Sequence, residues 1–341
     1  MRELVREHIK SLIPYQSARS EFEGEADVYL DANENPYDFQ FNRYPDPYQR
    51  KLKKRLADVR GWNVDQLFFG NGSDEIIDLL VRTFCEPNKD AILTCKPGFS
   101  MYQFSAELNQ ARNDEFELSS DFEIDADAFI KVIKPEHKLI FICSPNNPTG
   151  NAIPIKTIKQ VVDKAPGLVV VDEAYVDFSE IGSCLKEIDS KKLVVLQTFS
   201  KSFGSAGIRL GVGIMDQEIV AILNAVKLPY NVSESTQVLA TQLLDKYDKV
   251  IDSVLMIKKE RQRVSNQLIK LDVVLKVFPS DANFLLVKFD KAKEIYIHFM
   301  DNGVIVRDRS NLLHCEGCLR ITIGLRKENN RLLSLLKRFD K

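Results

Sequence analysis

Between residues 60 and 230, short apolar runs alternate with stretches whose apolar residues recur every three or four positions. Four runs, at 138–143 (KLIFIC), 167–174 (GLVVVDEA), 192–199 (KLVVLQTF) and 209–215 (RLGVGIM), are apolar almost throughout. Continuous apolarity implies burial on both faces, so they read as strands of a mostly parallel central sheet covered by helices. Ile155, Ile158, Val161 and Val162 fall at helical spacing. Ile76, Ile77, Leu79, Leu80 and Phe84 do the same after Ser73-Asp74-Glu75, which is expected to cap that helix.

Outside this region the pattern changes. A helix from Leu4 to Leu12 is expected to stop near Pro14. A long helical region at about 234–270 leads into VVLKVFP, NFLLVKF, VIVRD and LRITIG, interspersed with helices near 291–302 and 326–339. The expectation is an α/β fold with a large domain over 30–240 and a smaller α+β domain built from 1–29 and 241–341.

A length of 341 residues agrees with two lobes, and a net charge of −2 gives no electrostatic reason to expect nucleic acid or an anionic membrane as partner. The N-terminal MRELVREHIKSLIPY lacks the apolar stretch of a signal peptide, and no run approaches the roughly 20 apolar residues that span a bilayer. The six cysteines are scattered, as expected for reduced thiols in a cytoplasmic enzyme. Cys315-Glu-Gly-Cys318 has no second CxxC or His pair to complete a zinc site, so it reads as a loop before a buried strand and no metal is expected.

Three motifs carry chemistry. Ser144-Pro-Asn-Asn-Pro-Thr-Gly150, Asp172-Glu-Ala-Tyr175 and Ser200-Lys-Ser-Phe-Gly-Ser-Ala-Gly-Ile-Arg-Leu-Gly211 each fall at the C-terminal end of an expected strand, where α/β sheets place their ligands. Singly, each has a bland reading as a turn or strand end. In this order they resemble the fold-type I aminotransferases, which depend on pyridoxal 5'-phosphate. The resemblance implies that Lys201 binds the cofactor covalently and moves protons during catalysis, tasks open to a lysine whose pKa burial can lower and closed to an arginine. It implies Asp172 as the partner of the pyridine nitrogen, and Tyr175 and Asn147 as hydrogen-bond partners of the ring oxygen. Ser200, Arg209, Gly72, Ser73 and Asp74 would hold the cofactor phosphate at a helix start, with the Asp74 side chain capping the helix and only its N–H facing the anion. Phe99 stands where the family commonly has a tyrosine stacked on the ring.

Further segments narrow the resemblance to the histidinol-phosphate aminotransferase family over nearly the whole chain. They are Ile13-Pro-Tyr-Gln-Ser-Ala-Arg19, Leu30-Asp-Ala-Asn-Glu-Asn-Pro36, Asn42-Arg-Tyr-Pro-Asp-Pro47, Gly70-Asn-Gly-Ser-Asp-Glu75 and Cys318-Leu-Arg-Ile-Thr-Ile-Gly324. That family moves an amino group between L-histidinol phosphate and 2-oxoglutarate, in histidine biosynthesis. Arg307 and Arg320 are then expected to grip the distal phosphate or carboxylate in turn, with Arg309 a rival that sequence does not rank. Tyr15 and Asn33 are expected on the substrate side, and Tyr44 is expected to reach the cofactor phosphate of a neighbouring subunit, which makes the functional unit a homodimer. The alternatives are a phosphothreonine or phosphoserine decarboxylase, or an aromatic amino-acid aminotransferase, of the same fold. An effector-binding module of a transcription regulator fits poorly, because the chain is not basic.

Overall fold

A computed structural model of the chain describes residues 1–13, 15 and 26–339. Seven strands form the central sheet: β1 (Leu67–Asn71), β2 (Ala91–Lys96), β3 (Arg112–Glu117), β4 (His137–Cys143), β5 (Leu168–Asp172), β6 (Leu193–Thr198) and β7 (Leu210–Met215). Their spatial order is β1-β7-β6-β5-β4-β2-β3. Strands β2 to β6 pair in parallel, whereas β7 runs antiparallel to both β1 and β6. Apolarity reported the burial of β7 but not its direction. Direction follows from the connection: residues 199–209 are too few for the crossover of about a dozen residues that returns a parallel strand.

The four continuous apolar runs serve two cores at once. Along β4, Leu139, Phe141 and Cys143 face one cluster and Ile140 and Ile142 the other, while Val170 and Val171 divide in the same way on β5. Helices Ser73–Phe84, Met101–Leu108 and Gln217–Val226 cover the first face, and Ile155–Lys164, Arg50–Arg60 and Glu234–Leu244 the second. Ile76, Ile77, Leu80 and Phe84 on the first of these helices are at most 1% exposed. At about 1.5–3 kcal/mol for each large apolar side chain, that stripe anchors the helix start beside the sheet edge. Strand β3 (RNDEFE) is an exposed edge strand whose charges gave no apolar signal.

A second sheet, order β10-β11-β9-β8, is antiparallel throughout: β8 (Val274–Val277), β9 (Phe284–Phe289), β10 (Arg307–Asp308) and β11 (Cys318–Thr322). Its outer face packs Leu285, Val287, Leu319 and Ile321 against helices Tyr247–Leu268, Ala292–Asp301 and Arg326–Phe339. Because side chains alternate along a strand, Arg320 between Leu319 and Ile321 points to the opposite face. The helical region expected at 234–270 consists of two helices, Glu234–Leu244 and Tyr247–Leu268.

The N-terminal residues differ from expectation. A 3-10 turn at Arg2–Leu4 and a short helix Glu7–Lys10 replace the single helix. They lie on the helices of the large sheet, not on the smaller sheet with which 1–29 was grouped. Val5 is buried with Phe84 and Ile219, the Arg6 N–H donates to the Thr83 carbonyl at 3.1 Å, and the Arg2 N–H donates to Glu218 at 2.9 Å. Pro14 and residues 16–25, which carry most of the expected PYQSAR segment, are outside the described residues. Among those described, no helix is long and apolar enough to cross a membrane.

Candidate active site

The sheet edge gathers the motifs. Parallel β4, β5 and β6 end together at Cys143, Asp172 and Thr198, and because β7 is reversed its first residues reach the same edge, with Thr198 opposite Gly211 and Leu210 opposite Asn71. The cleft there has a volume of about 580 Å³. It is lined by Lys201, Asp172, Tyr175, Asn147, Ser200, Arg209, Gly72, Ser73, Asp74, Phe99, Arg307 and Arg320, twelve of the residues expected from sequence.

At one end, helix Ser73–Phe84 begins with Gly72 as its N-cap at φ 79° and without a side-chain cap. The expected capping by Asp74 is therefore corrected: its carboxylate pairs with Arg209 Nη2 at 3.2 Å, drawn off the helix start by the guanidinium. Space here is tight. A Cβ on Gly72 would lie 2.7 Å from Arg209 Nη2, and one on Gly211 would lie 2.2 Å from the Ser73 nitrogen. The two glycines allow backbone and guanidinium to close around one position, and the helix start presents free N–H groups to it. With Ser200 beside it, this cradle could hold an anion such as a phosphate.

In the middle stands Lys201, on the loop after β6, its Nζ 5.5 Å from the centre of the Tyr175 ring. Burial pulls its pKa below the ordinary lysine value, Arg320 lowers it further, and Asp172 and Asp74 oppose both. Asp172 is 3% exposed. Burial pushes its carboxyl up, against hydrogen bonds from Tyr102 and the Ala174 N–H that favour the ionised form. Burial also raises the Tyr175 phenol, so it stays a donor.

The far wall comes from the smaller sheet. Arg307 and Arg320 are direct cross-strand partners, and Arg309, just after β10, lines the same cleft. Like charges set opposite one another destabilise a sheet, so this arrangement calls for an anion. Arg309 and Arg320 are both held below the usual guanidinium range, by burial first and by neighbouring arginines after it. Arg309 Nε is buried without a hydrogen-bond partner, while Arg320 donates to Asn147 Oδ1 and lies over the Phe284 ring at 5.3 Å.

A family model for aminotransferase class I and II matches residues 28–336. The chain belongs to that family. A histidinol-phosphate aminotransferase of Christiangramia forsetii is 46% identical over 340 residues, covering 99% of this chain and 97% of the relative. Among solved structures, the histidinol-phosphate aminotransferase of Clostridium acetobutylicum superposes with a TM-score of 0.81 at 27% identity, covering 88% of this chain and 91% of that one. The enzyme of Sinorhizobium meliloti, in complex with pyridoxal-5'-phosphate, has the same fold with a TM-score of 0.79 at 22% identity, over 87% and 84% of the chains.

Three expected site residues of this aminotransferase are not in the cleft of its own chain. Asn33 and Tyr44 line a separate cavity of about 490 Å³, where Tyr44 stacks on Tyr230 with ring centres 4.5 Å apart. Tyr15 is 76% exposed. Conversely, Tyr102 escaped sequence reading although it donates to Asp172 Oδ2 at 2.8 Å. No local pattern marks it, because its partner lies 70 residues away along the chain. Cys315 and Cys318 are buried, and among the described residues no group of three or more His, Cys, Asp or Glu is placed to hold a metal.

Behind Lys201, a half-buried ion pair fixes the loop. Arg60 grips both oxygens of Asp177 at 2.8 and 2.9 Å, and Ser202, next to Lys201, donates to the same carboxylate. The guanidinium is enclosed by the Trp62, Phe203 and Tyr247 rings at 5.1–5.6 Å. Burial raises the Asp177 carboxyl, yet Arg60 and Ser202 outweigh it and the pKa is lowered overall. Asp177→Asn leaves Arg60 charged and unpaired, so it is expected to cost about 3–5 kcal/mol in chemical denaturation at pH 7. Because the folded pKa is depressed, the wild-type advantage is present above about pH 4 and shrinks as pH falls further, which denaturation at pH 3 checks.

Proposed function

We propose that this chain transfers an amino group reversibly between L-histidinol phosphate and 2-oxoglutarate, giving imidazole acetol phosphate and L-glutamate, in histidine biosynthesis. The observation that carries this reading is one cleft that joins an amine to two clusters suited to anions. The Gly72–Ser73 cradle with Arg209, and the wall of Arg307, Arg309 and Arg320, line the same cleft as Lys201. The residues fit pyridoxal phosphate, whose phosphate matches the cradle and whose ring nitrogen matches a buried carboxylate. When bound, this cofactor supplies the carbonyl carbon that carries the amino group and the ring that accepts electrons.

The chain's residues do the rest. Lys201 would hold the cofactor covalently and move a proton at Nζ, which its lowered pKa suits. Asp172 would keep a proton on the ring nitrogen, Tyr175 and Asn147 would donate to the ring oxygen, and Phe99 would pack against the ring. Both substrates end in an anion distant from the reacting nitrogen, and guanidinium binds phosphate or carboxylate bidentately, so the arginine wall serves both in turn.

Tyr44, Asn33 and Tyr15 act on a partner subunit's site in this reading, and the enzyme is a cytoplasmic homodimer. The exposed apolar residues near Tyr44 support it: Leu30 is 90% exposed, Phe41 53% and Leu228 74%. Burying such a patch drives association.

The test is single-turnover visible spectroscopy of the holoenzyme. L-Histidinol phosphate and L-glutamate are each expected to bleach the cofactor band, and 2-oxoglutarate to restore it. A band that ignores both donors, or carbon dioxide release from phosphothreonine, would overturn the substrate assignment.

A further inference from the structure

We infer that Tyr102 is a positioning residue for amino transfer, its phenol holding the Asp172 carboxylate charged and oriented toward the cofactor; the inference rests on the cofactor reading above. Tyr102 is 3% exposed on helix Met101–Leu108, stacked on Phe141 at 4.6 Å and edge-on to Phe99 at 5.5 Å. A buried phenol needs a hydrogen-bond partner, and here it is the Asp172 carboxylate of the cleft, at 2.8 Å.

The carboxylate's needs make the contact more than convenient packing. Each carboxylate oxygen has two acceptor positions. Oδ1 takes the Ala174 N–H at 3.0 Å and Oδ2 takes Tyr102, which leaves capacity on each oxygen for a cation in the cleft. The charged and titratable groups facing Asp172 are Tyr102, Tyr175, Cys143, Lys201 and Asp74. Burial raises the two phenols and the thiol, so they remain neutral; Asp74 repels the charge, and Lys201 is the one cation among the five. The Phe99 and Phe141 rings beside the phenol leave little room for water to replace its hydroxyl. Without that hydroxyl, the shared proton moves from the ring nitrogen toward Asp172 and the electron-accepting power of the ring falls.

Tyr102→Phe removes the hydroxyl and keeps the aromatic stack. It is expected to lower kcat about tenfold, matching a pKa change of about one unit, while KM for the amino donors stays within about twofold. A weaker pull from the ring makes the nitrogen joining Lys201 to the cofactor more basic. The pH midpoint of the holoenzyme's visible band is therefore expected to rise by about one unit. In an Asp172→Asn background, Tyr102→Phe is expected to change neither reading, since the charge it supports is gone. A Tyr102→Phe holoenzyme with the wild-type midpoint, or an equal loss of kcat in both backgrounds, would overturn the inference alone. Wild-type protein that takes up no pyridoxal phosphate would overturn the cofactor reading and this inference with it.

Discussion

Lys201→Ala is expected to abolish amino transfer, with kcat reduced by at least about 10⁴-fold in both half-reactions. Two losses coincide in this substitution. In the proposed roles, the amine that links covalently to the cofactor disappears, and so does the group that carries the proton at the reacting carbon. No other described side chain in the cleft is an amine. The nearby guanidiniums cannot substitute, because they do not deprotonate. The cleft should still bind pyridoxal phosphate without the covalent link, since Asp172, Arg209 and the start of helix Ser73–Phe84 remain. Stopped-flow spectra with each amino donor check the first point, and equilibrium dialysis checks the second. Turnover within tenfold of wild type would rule out Lys201 as the central base.

Asp172→Asn is expected to lower kcat by roughly 10²- to 10³-fold while leaving the cofactor-free protein as stable as wild type or more so. Two opposite charges about 4 Å apart gain on the order of 4 kcal/mol at an effective dielectric of 20, and desolvation returns part of it. In the cofactor-free protein the balance reverses. Asp172 is 3% exposed, and burial pushes its carboxyl up, so its charge is carried at a cost. Asparagine keeps the shape and an oxygen for Tyr102, and carries no charge. Thermal melts with and without pyridoxal phosphate, read beside kcat, separate the two effects. A large loss of stability in the cofactor-free variant would make Asp172 a structural residue.

Much of the cleft was legible because its chemistry sits at strand ends. Lys201, Asp172 and Asn147 each follow a run of apolar residues, and such a run fixes both the strand and where it stops. Arg320 was legible only through the resemblance that Cys318-Leu-Arg-Ile-Thr-Ile-Gly324 carries. Tyr102 was not. It looks like any apolar-side aromatic on a helix, and its partner is 70 residues away along the chain. Asp74 misled for a related reason. Local rules favour an acidic cap at a helix start, but Arg209, 135 residues later, takes its carboxylate.

The sequence by itself determined the elements that bury a stripe or a whole strand, the residue types able to do the chemistry, and the family the chain resembles. These depend on neighbours within a few positions, where periodicity and motif spacing act. Only the tertiary structure decided the division of the apolar runs between two cores, the seating of residues 2–10 on the large sheet's helices, and the meeting of three arginines with Lys201 across one cleft. It also set Tyr102 against Asp172 and kept Tyr44 and Asn33 out of their own chain's cleft. Each of these is a contact between distant parts of the chain, chosen by packing and charge pairing that no local window contains.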